Sequence, residues 1–391
     1  MSGEKMKWCS IWGNAMSITD HKVETYSKDL TLRYPITVPF SGDKIKLTFD
    51  NFCGTEEVCI EEVYISSVYK GENTGNEINK DTVKLLTFNG SKSFSMQPGQ
   101  RVMSDEIDVK LSQNDSLVVS FYIKDFAQMR SSVIATGPLS RGYYAVGNHC
   151  QDEILPMDFS RGTNCFYFLS DVFLWTAEKN HAVVCYGDSI TAQDWPDYLM
   201  KLYLKNENNN VAIVRKAASG TRVLRQYTNI TYESYGLKAD VRFPHEMPVE
   251  GADAIIIQQG INDIIHPVGV DVNPFRPMSD LPSVEELEAG LQYYVDEAKR
   301  QGLKIYMGTL LPIEGWRTYA DFREVMKNEI NDWIRAKADT VLIDFDKAVR
   351  DEKRPQAFKE GYDSGDHLHP SATAYERMAL EAYNVLKLCE I

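Results

Sequence analysis

A serine, a histidine and an aspartate in this sequence have the types and spacing needed for nucleophilic catalysis. Ser189 ends a Gly-Asp-Ser tripeptide that directly follows the apolar run 182–186. A serine hydroxyl needs a base to remove its proton, and the base needs a carboxylate to fix its tautomer and orientation. Asp366 and His369 lie three residues apart in an expected turn, so both side chains can converge on one point. The three residues together predict acyl-transfer chemistry.

The Gly-Asp-Ser motif and the turn with Asp366 and His369 each have an ordinary structural explanation as well. A serine after a strand often serves only as a helix cap or a turn residue. The second motif, read alone, is an acidic, histidine-bearing loop ahead of a helix. His367 is an alternative base, but its spacing from Asp366 favours His369.

Two further motifs supply groups that could stabilise a negatively charged oxygen. Asn262 lies in the segment Gly-Ile-Asn-Asp, which follows the apolar run 254–257, and its amide can donate to an oxyanion. Gly220 follows the run 211–214, and a glycine lets the backbone approach the reacting centre closely. Either motif alone is usually a turn.

The elements that must position these residues are strands and helices in alternation. Short continuous apolar runs separated by helical patterns predict a parallel sheet covered on both faces, and therefore an α/β fold. Ligand sites in such sheets form outside the carboxyl ends of the strands. The predicted strands lie at residues 182–186, 211–214, 254–257, 303–307 and 341–343.

Three helices can be placed between or after these strands. Ser283 and Glu286 form a capping box at the start of the first. Helical periodicity predicts the buried face of each helix. The predicted inward residues are Leu287, Leu291, Tyr294, Val295 and Ala298 in the first helix, Tyr319, Phe322, Met326, Ile330 and Trp333 in the second, and Tyr375, Met378, Ala379, Ala382 and Leu386 in the third.

The first half of the chain has a different pattern. Its apolar runs, such as 44–49 and 116–123, are short and alternating and are separated by turn residues, as in half-buried antiparallel strands. This pattern predicts an antiparallel β-sandwich. We expect the boundary between residues 173 and 181, which gives a β-sandwich domain at 1–178 and an α/β domain at 179–391.

Taken in order, the four motifs of residues 181–391 resemble the blocks of the SGNH/GDSL hydrolase family. The resemblance implies a flavodoxin-like parallel sheet flanked by helices, with Ser189 as nucleophile, His369 as base and Asp366 as the orienting acid. It also implies an oxyanion hole made of the Ser189 and Gly220 backbone N–H groups and the Asn262 side chain. The asparagine that many members carry shortly before the second-block glycine is absent here.

The whole chain is similar to two-domain carbohydrate esterases, in which a jelly-roll-like sandwich precedes the hydrolase domain. The stretch 30–55 carries this likeness. In such proteins the sandwich binds carbohydrate or shapes the rim of the active site. A structural or oligomerising role of the sandwich is the alternative, and an oligomerising sandwich would make the protein a homo-oligomer.

Composition excludes some partners. The net charge of −14 disfavours nucleic acid and anionic membrane surfaces. No apolar run is long enough to span a bilayer, and no signal peptide is recognisable. Seven irregularly spaced cysteines are typical of reduced thiols, so we expect a cytoplasmic protein. The mechanism requires no metal and no organic cofactor.

The expected substrate is an ester of a small molecule or an oligosaccharide. The resemblance to carbohydrate esterases, the preceding sandwich and the lack of a recognisable export signal imply O-acetyl groups on plant-type oligosaccharides such as acetylated xylan fragments. Aromatic surfaces suit sugar rings, but they also suit packing. The alternatives are a lipase or thioesterase acting on acyl chains and a non-catalytic carbohydrate-binding protein. Two long segments, 227–251 and 264–282, are expected to overhang the site. Candidate rim residues are Trp195, Tyr232, Tyr235, Phe243, His245, His266, Phe275 and Trp316.

Overall fold

The chain folds into two compact units in a computed structural model, which describes residues 5–18, 26–68, 75–156, 161–227 and 235–390. The first unit consists of Met1–Ala182 with Tyr203–Val214, and the second of Val183–Leu202 with Arg215–Ile391. We keep the domain boundary at residues 178 and 179 as a prediction.

The first unit is rich in antiparallel strands, as predicted. Strands β1, β18, β5 and β10 form one sheet in that order, and β11 also pairs with β5. A six-stranded sheet has the order β16-β15-β4-β12-β7-β8. The jelly-roll-like connectivity stays a prediction. The strands are β1 (Met6–Gly13), β2 (Ser17–Ile18), β3 (Tyr26–Ser27), β4 (Leu30–Thr37), β5 (Gly42–Asp50), β6 (Val58–Ile60), β7 (Glu62–Ser67), β8 (Asn79–Leu86), β9 (Phe94–Met96), β10 (Arg101–Met103), β11 (Ile107–Leu111), β12 (Ser116–Ile123), β13 (Ala127–Gln128), β14 (Ser131–Ile134), β15 (Gly142–Val146), β16 (Arg161–Thr163), β17 (Cys165–Tyr167) and β18 (Leu169–Ala177).

The two main sheets of this unit meet through aromatic side chains. Phe49 of β5 and Phe121 of β12 are fully buried, and their ring centroids lie 5.3 Å apart in an edge-to-face arrangement. Phe121 also contacts Tyr34 of β4 at 5.6 Å. Buried aromatic rings contribute large apolar areas and prefer this geometry, so this cluster holds the core of the unit together.

The second half of the chain contains a five-stranded sheet with the order β20-β19-β21-β22-β23. In chain order this is 2-1-3-4-5, the flavodoxin-like arrangement, and the registers of β21 with β22 and of β22 with β23 are parallel. The predicted fold class and all five predicted strands are confirmed. The strands are β19 (His181–Gly187), β20 (Val211–Ala217), β21 (Ala252–Gln258), β22 (Lys304–Gly308) and β23 (Val341–Ile343).

Helices flank this sheet. Helix α5 packs against α3 and α6, and α8 packs against α7. None of the helices in the described ranges is long and apolar enough to cross a membrane. The helices are α1 (Ser189–Ala192), α2 (Trp195–Leu204), α3 (Ala239–Glu246), α4 (Ile261–Ile265), α5 (Val284–Arg300), α6 (Asp321–Ala336), α7 (Phe345–Val349) and α8 (Ala372–Leu388), with a 3₁₀ turn at Met278–Asp280.

Two of the three predicted helix faces are confirmed. Helix α5 begins with the Ser283–Glu286 capping box, and all five of its predicted inward residues are buried. The five predicted inward residues of α8 are buried as well. These faces could be predicted because the apolar residues recur at helical spacing and mark the side that packs on the sheet.

The predicted face of α6 is partly wrong. Phe322 is 47% exposed, while Arg323 and Asn331 are buried. Arg323 donates hydrogen bonds to the carbonyl oxygens of Ile264 and Pro267, and the Asn331 amide bonds both backbone groups of Leu310. Polar side chains that make several hydrogen bonds can occupy a buried face, and an apolar pattern does not detect them.

The aromatic core of the first unit can be tested with Phe121→Ala. Truncating a buried phenylalanine removes packing and leaves a cavity, so we expect a loss of about 3–5 kcal/mol in the free energy of unfolding. Phe126, which is 70% exposed, provides the matched control. Phe126→Ala should change the stability by no more than about 0.5–1 kcal/mol, because it loses only a surface contact with Lys28. Urea titration followed by circular dichroism measures both, and equal losses would contradict the assignment of the core.

Candidate active site

The residues singled out from the sequence meet where the strand order of the sheet reverses. Ser189 follows β19, Gly220 follows β20 and Asn262 follows β21, and β19 lies between the other two strands. Open α/β sheets bind ligands in the crevice outside the carboxyl ends of the strands at such a switch point. The fold therefore brings the first three motifs to one place.

The serine, histidine and aspartate form a continuous hydrogen-bonded chain. Ser189 Oγ lies 2.9 Å from His369 Nε2, and His369 Nδ1 lies 2.6 Å from Asp366 Oδ2. Ser189 is buried, His369 is half-buried and Asp366 is exposed. In this arrangement the imidazole can accept the serine proton while the carboxylate holds its opposite nitrogen.

The turn before α8 fixes the aspartate and histidine locally. Asp366 Oδ1 accepts from the backbone N–H groups of Leu368 and His369 at 2.9 and 2.8 Å. Partial burial opposes ionisation of this carboxyl, but the bonds from His369 and the backbone hold the pKa of Asp366 below its usual value. The alternative base, His367, is directed elsewhere, because its Nδ1 pairs with Asp363.

Gly220 and Asn262 are held beside the serine by backbone contacts. Gly220 has a φ of +74°, and a Cβ on this residue would lie 2.6 Å from the ring of Tyr235. A side chain is therefore excluded by conformation and by space. The Asn262 amide donates one N–H to the Thr221 carbonyl at 3.0 Å, so its second N–H remains as a donor.

Gly187 allows β19 and β21 to approach each other at the end of the sheet. A Cβ at this position would lie 2.4 Å from the carbonyl oxygen of Gln258. The carbonyl of Gly187 accepts from the N–H of Ala218, which links the first motif to the second. The close approach places Ser189 at the base of the crevice.

Comparison with known protein families agrees with this geometry. Residues 185–377 match the model of the GDSL-like lipase/acylhydrolase family. These residues form a GDSL-like lipase/acylhydrolase domain. The second half of the chain is therefore an ester-hydrolase domain. No curated protein sequence matches the chain.

Solved structures of the same family are similar at low identity. A GDSL-like lipase from Bacteroides thetaiotaomicron is 16% identical, with 54% of this chain and 89% of that chain covered and a TM-score of 0.39. A lipolytic protein of the G-D-S-L family from Desulfitobacterium hafniense is 19% identical over 53% and 99% of the chains, with a TM-score of 0.37. A catalytic mutant of an acetylxylan esterase from Geobacillus stearothermophilus is 18% identical over 53% and 94%, with a TM-score of 0.41.

Sequence reasoning missed Arg242, which lies in the segment expected to overhang the site. It is instead buried in α3 and donates to the carbonyl oxygens of Gly187 and Lys216 at 3.1 and 2.6 Å and to the Thr221 hydroxyl at 3.0 Å. The Glu246 carboxylate accepts from it at 2.7 Å. Desolvation opposes the charge, but the carboxylate more than offsets this and raises the pKa of Arg242. The i,i+4 spacing of the pair was the available sequence signal.

Two buried carboxyl groups support the same loops. Asp188 caps α1 through the N–H of Ile190, and burial raises the pKa of Asp188 to about 7. Asp263 accepts from the N–H groups of Val223 and Leu224, and burial raises the pKa of Asp263 to about 6. Both residues hold the backbone that presents Ser189 and Gly220. Within the described part of the chain, neither forms a hydrogen bond with the side chain of Ser189 or His369.

The aromatic residues expected at the rim differ in burial. Trp195 and Phe243 are fully buried in the core, so a position at the rim is wrong for both. Trp195 stacks on Phe345 because α2 turns its apolar face inward. The His266 ring contacts Tyr227 and Tyr235 at 5.8 and 5.3 Å. His245 and Trp316 are half-buried, Phe275 is 50% exposed, and Tyr232 lies outside the described residues.

Within the described ranges, no three histidine, cysteine, aspartate or glutamate side chains are grouped so that they could hold a metal ion.

The role of Arg242 can be tested by removing one or both members of its pair. Arg242→Met leaves the buried Glu246 carboxyl without its partner, so we expect a loss of about 3–5 kcal/mol in the free energy of unfolding. Arg242→Met with Glu246→Leu should recover part of that loss, but not the hydrogen bonds to the two carbonyl oxygens. Arg300→Met, which removes an exposed arginine of α5, is the control and should have little effect. Urea titration measures all three, and a stable Arg242→Met variant would contradict this role.

Proposed function

We propose that the protein is a serine esterase that hydrolyses O-acyl esters through Ser189, His369 and Asp366. The observation that carries the proposal is the hydrogen-bonded chain that joins these residues, at 2.9 Å between Ser189 and His369 and 2.6 Å between His369 and Asp366. A helix cap or an isolated polar turn does not need this alignment. Nucleophile, base and orienting carboxylate do need it.

The proposed reaction proceeds in two steps. His369 Nε2 takes the proton of the Ser189 hydroxyl as its oxygen attacks the ester carbonyl, and Asp366 stabilises the resulting imidazolium. Collapse of the tetrahedral intermediate breaks the bond to the leaving alcohol, which receives the proton from His369. Water then attacks the acyl-enzyme by the same route, releases the carboxylic acid and restores the serine.

The oxyanion of each tetrahedral intermediate needs donors that are already in place. We assign this role to the backbone N–H groups of Ser189 and Gly220 and to the side chain of Asn262. The bond from Asn262 to the Thr221 carbonyl fixes the amide, so little reorganisation is needed when charge develops.

We further propose that the acyl group is acetyl and that the alcohol is a sugar hydroxyl of plant-type oligosaccharides such as acetylated xylan fragments. The groups beside Gly220 support this choice. The Tyr235 ring lies against it, followed by the rings of His266 and Tyr227. Aromatic faces with polar edges suit the apolar faces and hydroxyl groups of sugars.

A lipase or thioesterase acting on acyl chains is the second candidate. Val270, Val272 and Phe275 are 59%, 75% and 50% exposed in the segment that follows His266, and such a surface could accept an acyl chain. Hydrolysis of 4-nitrophenyl acetate, butyrate and octanoate discriminates the two candidates. A preference for acetate, together with acetate release from acetylated xylo-oligosaccharides, supports the carbohydrate esterase, and a preference for octanoate supports the acyl-chain enzyme.

Two expectations from the sequence stay predictions. The first is the carbohydrate-binding role of the first unit, with a structural or oligomerising role as its alternative, and the second is the location in the cytoplasm. A non-catalytic carbohydrate-binding protein remains the alternative to an esterase, and a fluorophosphonate that labels serine nucleophiles tests it directly.

Removal of the nucleophile should abolish activity. For Ser189→Ala we expect kcat for 4-nitrophenyl acetate to fall by roughly 10⁴-fold or more, because the acyl-enzyme cannot form. Labelling by the fluorophosphonate should disappear as well. Ser91→Ala, which changes an exposed serine of the first unit, should keep full activity and labelling. Undiminished hydrolysis by Ser189→Ala would refute the proposed nucleophile.

Removal of the oxyanion donor should affect the chemical step more than binding. For Asn262→Ala we expect kcat to fall by roughly 10²–10³-fold with a small change in KM, because the amide acts mainly on the transition state. Asn208→Ala, at an exposed asparagine, is the matched control. Circular dichroism verifies that both variants are folded, and an unchanged kcat in folded Asn262→Ala would exclude the amide from the oxyanion hole.

A further inference from the structure

A group of arginine side chains surrounds the His266 ring beside the candidate active site. Arg222 is buried, Arg276 is half-buried and Arg317 is exposed, so the three guanidinium groups extend from the interior to solvent. All three lie close enough to act electrostatically on the imidazole. Together with Tyr227, Tyr235 and His266 we call them the arginine cluster.

The arginine cluster is continuous with the oxyanion donors. Tyr235 packs directly against Gly220, and the rings of Tyr235 and His266 lie 5.3 Å apart. The Arg222 guanidinium stacks on Tyr227 with 4.4 Å between its carbon and the ring centroid. A substrate whose ester carbonyl reaches Gly220 would therefore have its neighbouring groups beside these side chains.

The positive charges of the arginine cluster are only partly neutralised. Among the described residues, the three arginines have one carboxylate partner between them. This partner is Asp280, which lies 3.4 Å from Arg222. Arg276 donates instead to the carbonyl oxygens of His266 and Ile265, and Arg317 stacks on Trp316. This local excess of positive charge occurs in a chain whose net charge is −14. Guanidinium groups are the preferred partners of carboxylates and are also expensive to gather without a partner.

Two buried polar atoms of the arginine cluster also lack a partner. Across the described ranges, neither His266 Nδ1 nor Arg222 Nε has a hydrogen-bond partner, although both residues are more than 90% buried. An unpaired buried polar atom costs free energy comparable to a lost hydrogen bond. Atoms of this kind next to a catalytic crevice are expected to find their partners on a ligand.

His266 contributes as a neutral group. Burial and the surrounding arginines hold the pKa of His266 well below its usual value, so the imidazole is uncharged at neutral pH. A neutral imidazole offers one donor and one acceptor, which matches a sugar hydroxyl. The charge for an anion then comes from the arginines alone.

We propose that the arginine cluster is a subsite for a carboxylate on the leaving alcohol, so that the preferred substrates are O-acyl esters of acidic sugars such as uronic acids. This inference rests on the proposed esterase function and specifies its substrate class. The carboxylate is bound by Arg317 and Arg276 from the solvent side, and a hydroxyl next to it bonds His266. The acyl carbon then faces Ser189 while the acidic ring lies on Tyr235.

The test compares three soluble esters at equal concentration. The first is a mono-O-acetylated hexuronic acid, the second is its methyl ester, which lacks the charge, and the third is a succinyl ester of a neutral hexose, which carries the charge on the acyl group. We expect kcat/KM for the acid to exceed that for both others by roughly tenfold, the factor typical of a charge-assisted hydrogen bond. The preference should arise in KM and weaken with added salt.

Arg317→Gln isolates the charge at an exposed position where folding is not at risk. It should reduce kcat/KM for the acid roughly tenfold and leave the methyl ester and 4-nitrophenyl acetate unchanged. Arg300→Gln, at an exposed arginine of α5, is the control and should change none of them.

The outcomes separate this inference from the function on which it rests. Equal rates on the acid and its methyl ester, or no hydrolysis of the acid by an enzyme that cleaves 4-nitrophenyl acetate, would overturn the carboxylate subsite alone. A preference for the succinyl ester would overturn the assignment to the leaving alcohol. Undiminished hydrolysis of 4-nitrophenyl acetate by Ser189→Ala would overturn the proposed esterase function itself.

Discussion

The geometry of the crevice depends on one buried guanidinium group. Arg242 donates to the carbonyl oxygens that end the first two motif strands and to the hydroxyl of Thr221, whose own carbonyl holds the Asn262 amide. A charge in this position is tolerated only because Glu246 accompanies it on the same helix turn. One ion pair therefore helps to fix the positions of three strand-end segments, in addition to the backbone hydrogen bond from Ala218 to Gly187.

The strand order explains why these segments meet, and it also explains which residues sequence reasoning found. The runs that became β19, β20 and β21 are continuous and apolar, as in parallel strands covered on both faces, so their ends could be located to within three residues. The chemistry-bearing residues Ser189, Gly220 and Asn262 follow those ends directly. Their proximity was therefore predictable from the pattern, while the exact contacts were not.

Sequence reasoning failed where polar side chains take positions normally held by apolar ones. Arg323 and Asn331 lie on the buried side of α6, and Arg242 lies on the buried side of α3. Each donates to carbonyl oxygens from distant parts of the chain, so no local sequence pattern predicts its burial. The segment 227–251 was expected to be an overhanging loop for the same reason, because its helix contains a proline and few apolar residues.

Charge in the second unit is distributed unevenly. The chain as a whole is acidic, yet the crevice contains a neutral imidazole among arginines and two buried carboxyl groups whose ionisation is disfavoured. Exposed charges are screened beyond about 8–10 Å in physiological salt, whereas partly buried charges are screened much less. The partly buried arginines beside His266 are therefore screened less by salt than the exposed acidic residues.

Ser189 and His369 are 180 positions apart in the chain, although their side chains are in hydrogen-bond contact. Because domains are synthesised from the N-terminal end, the segment with the serine is complete long before the histidine has been added. The pair also closes a very long loop, which is a slow contact to form. Under the proposed mechanism, hydrolytic competence is consequently among the last properties that a growing chain acquires, and the serine is inert until the histidine has been added.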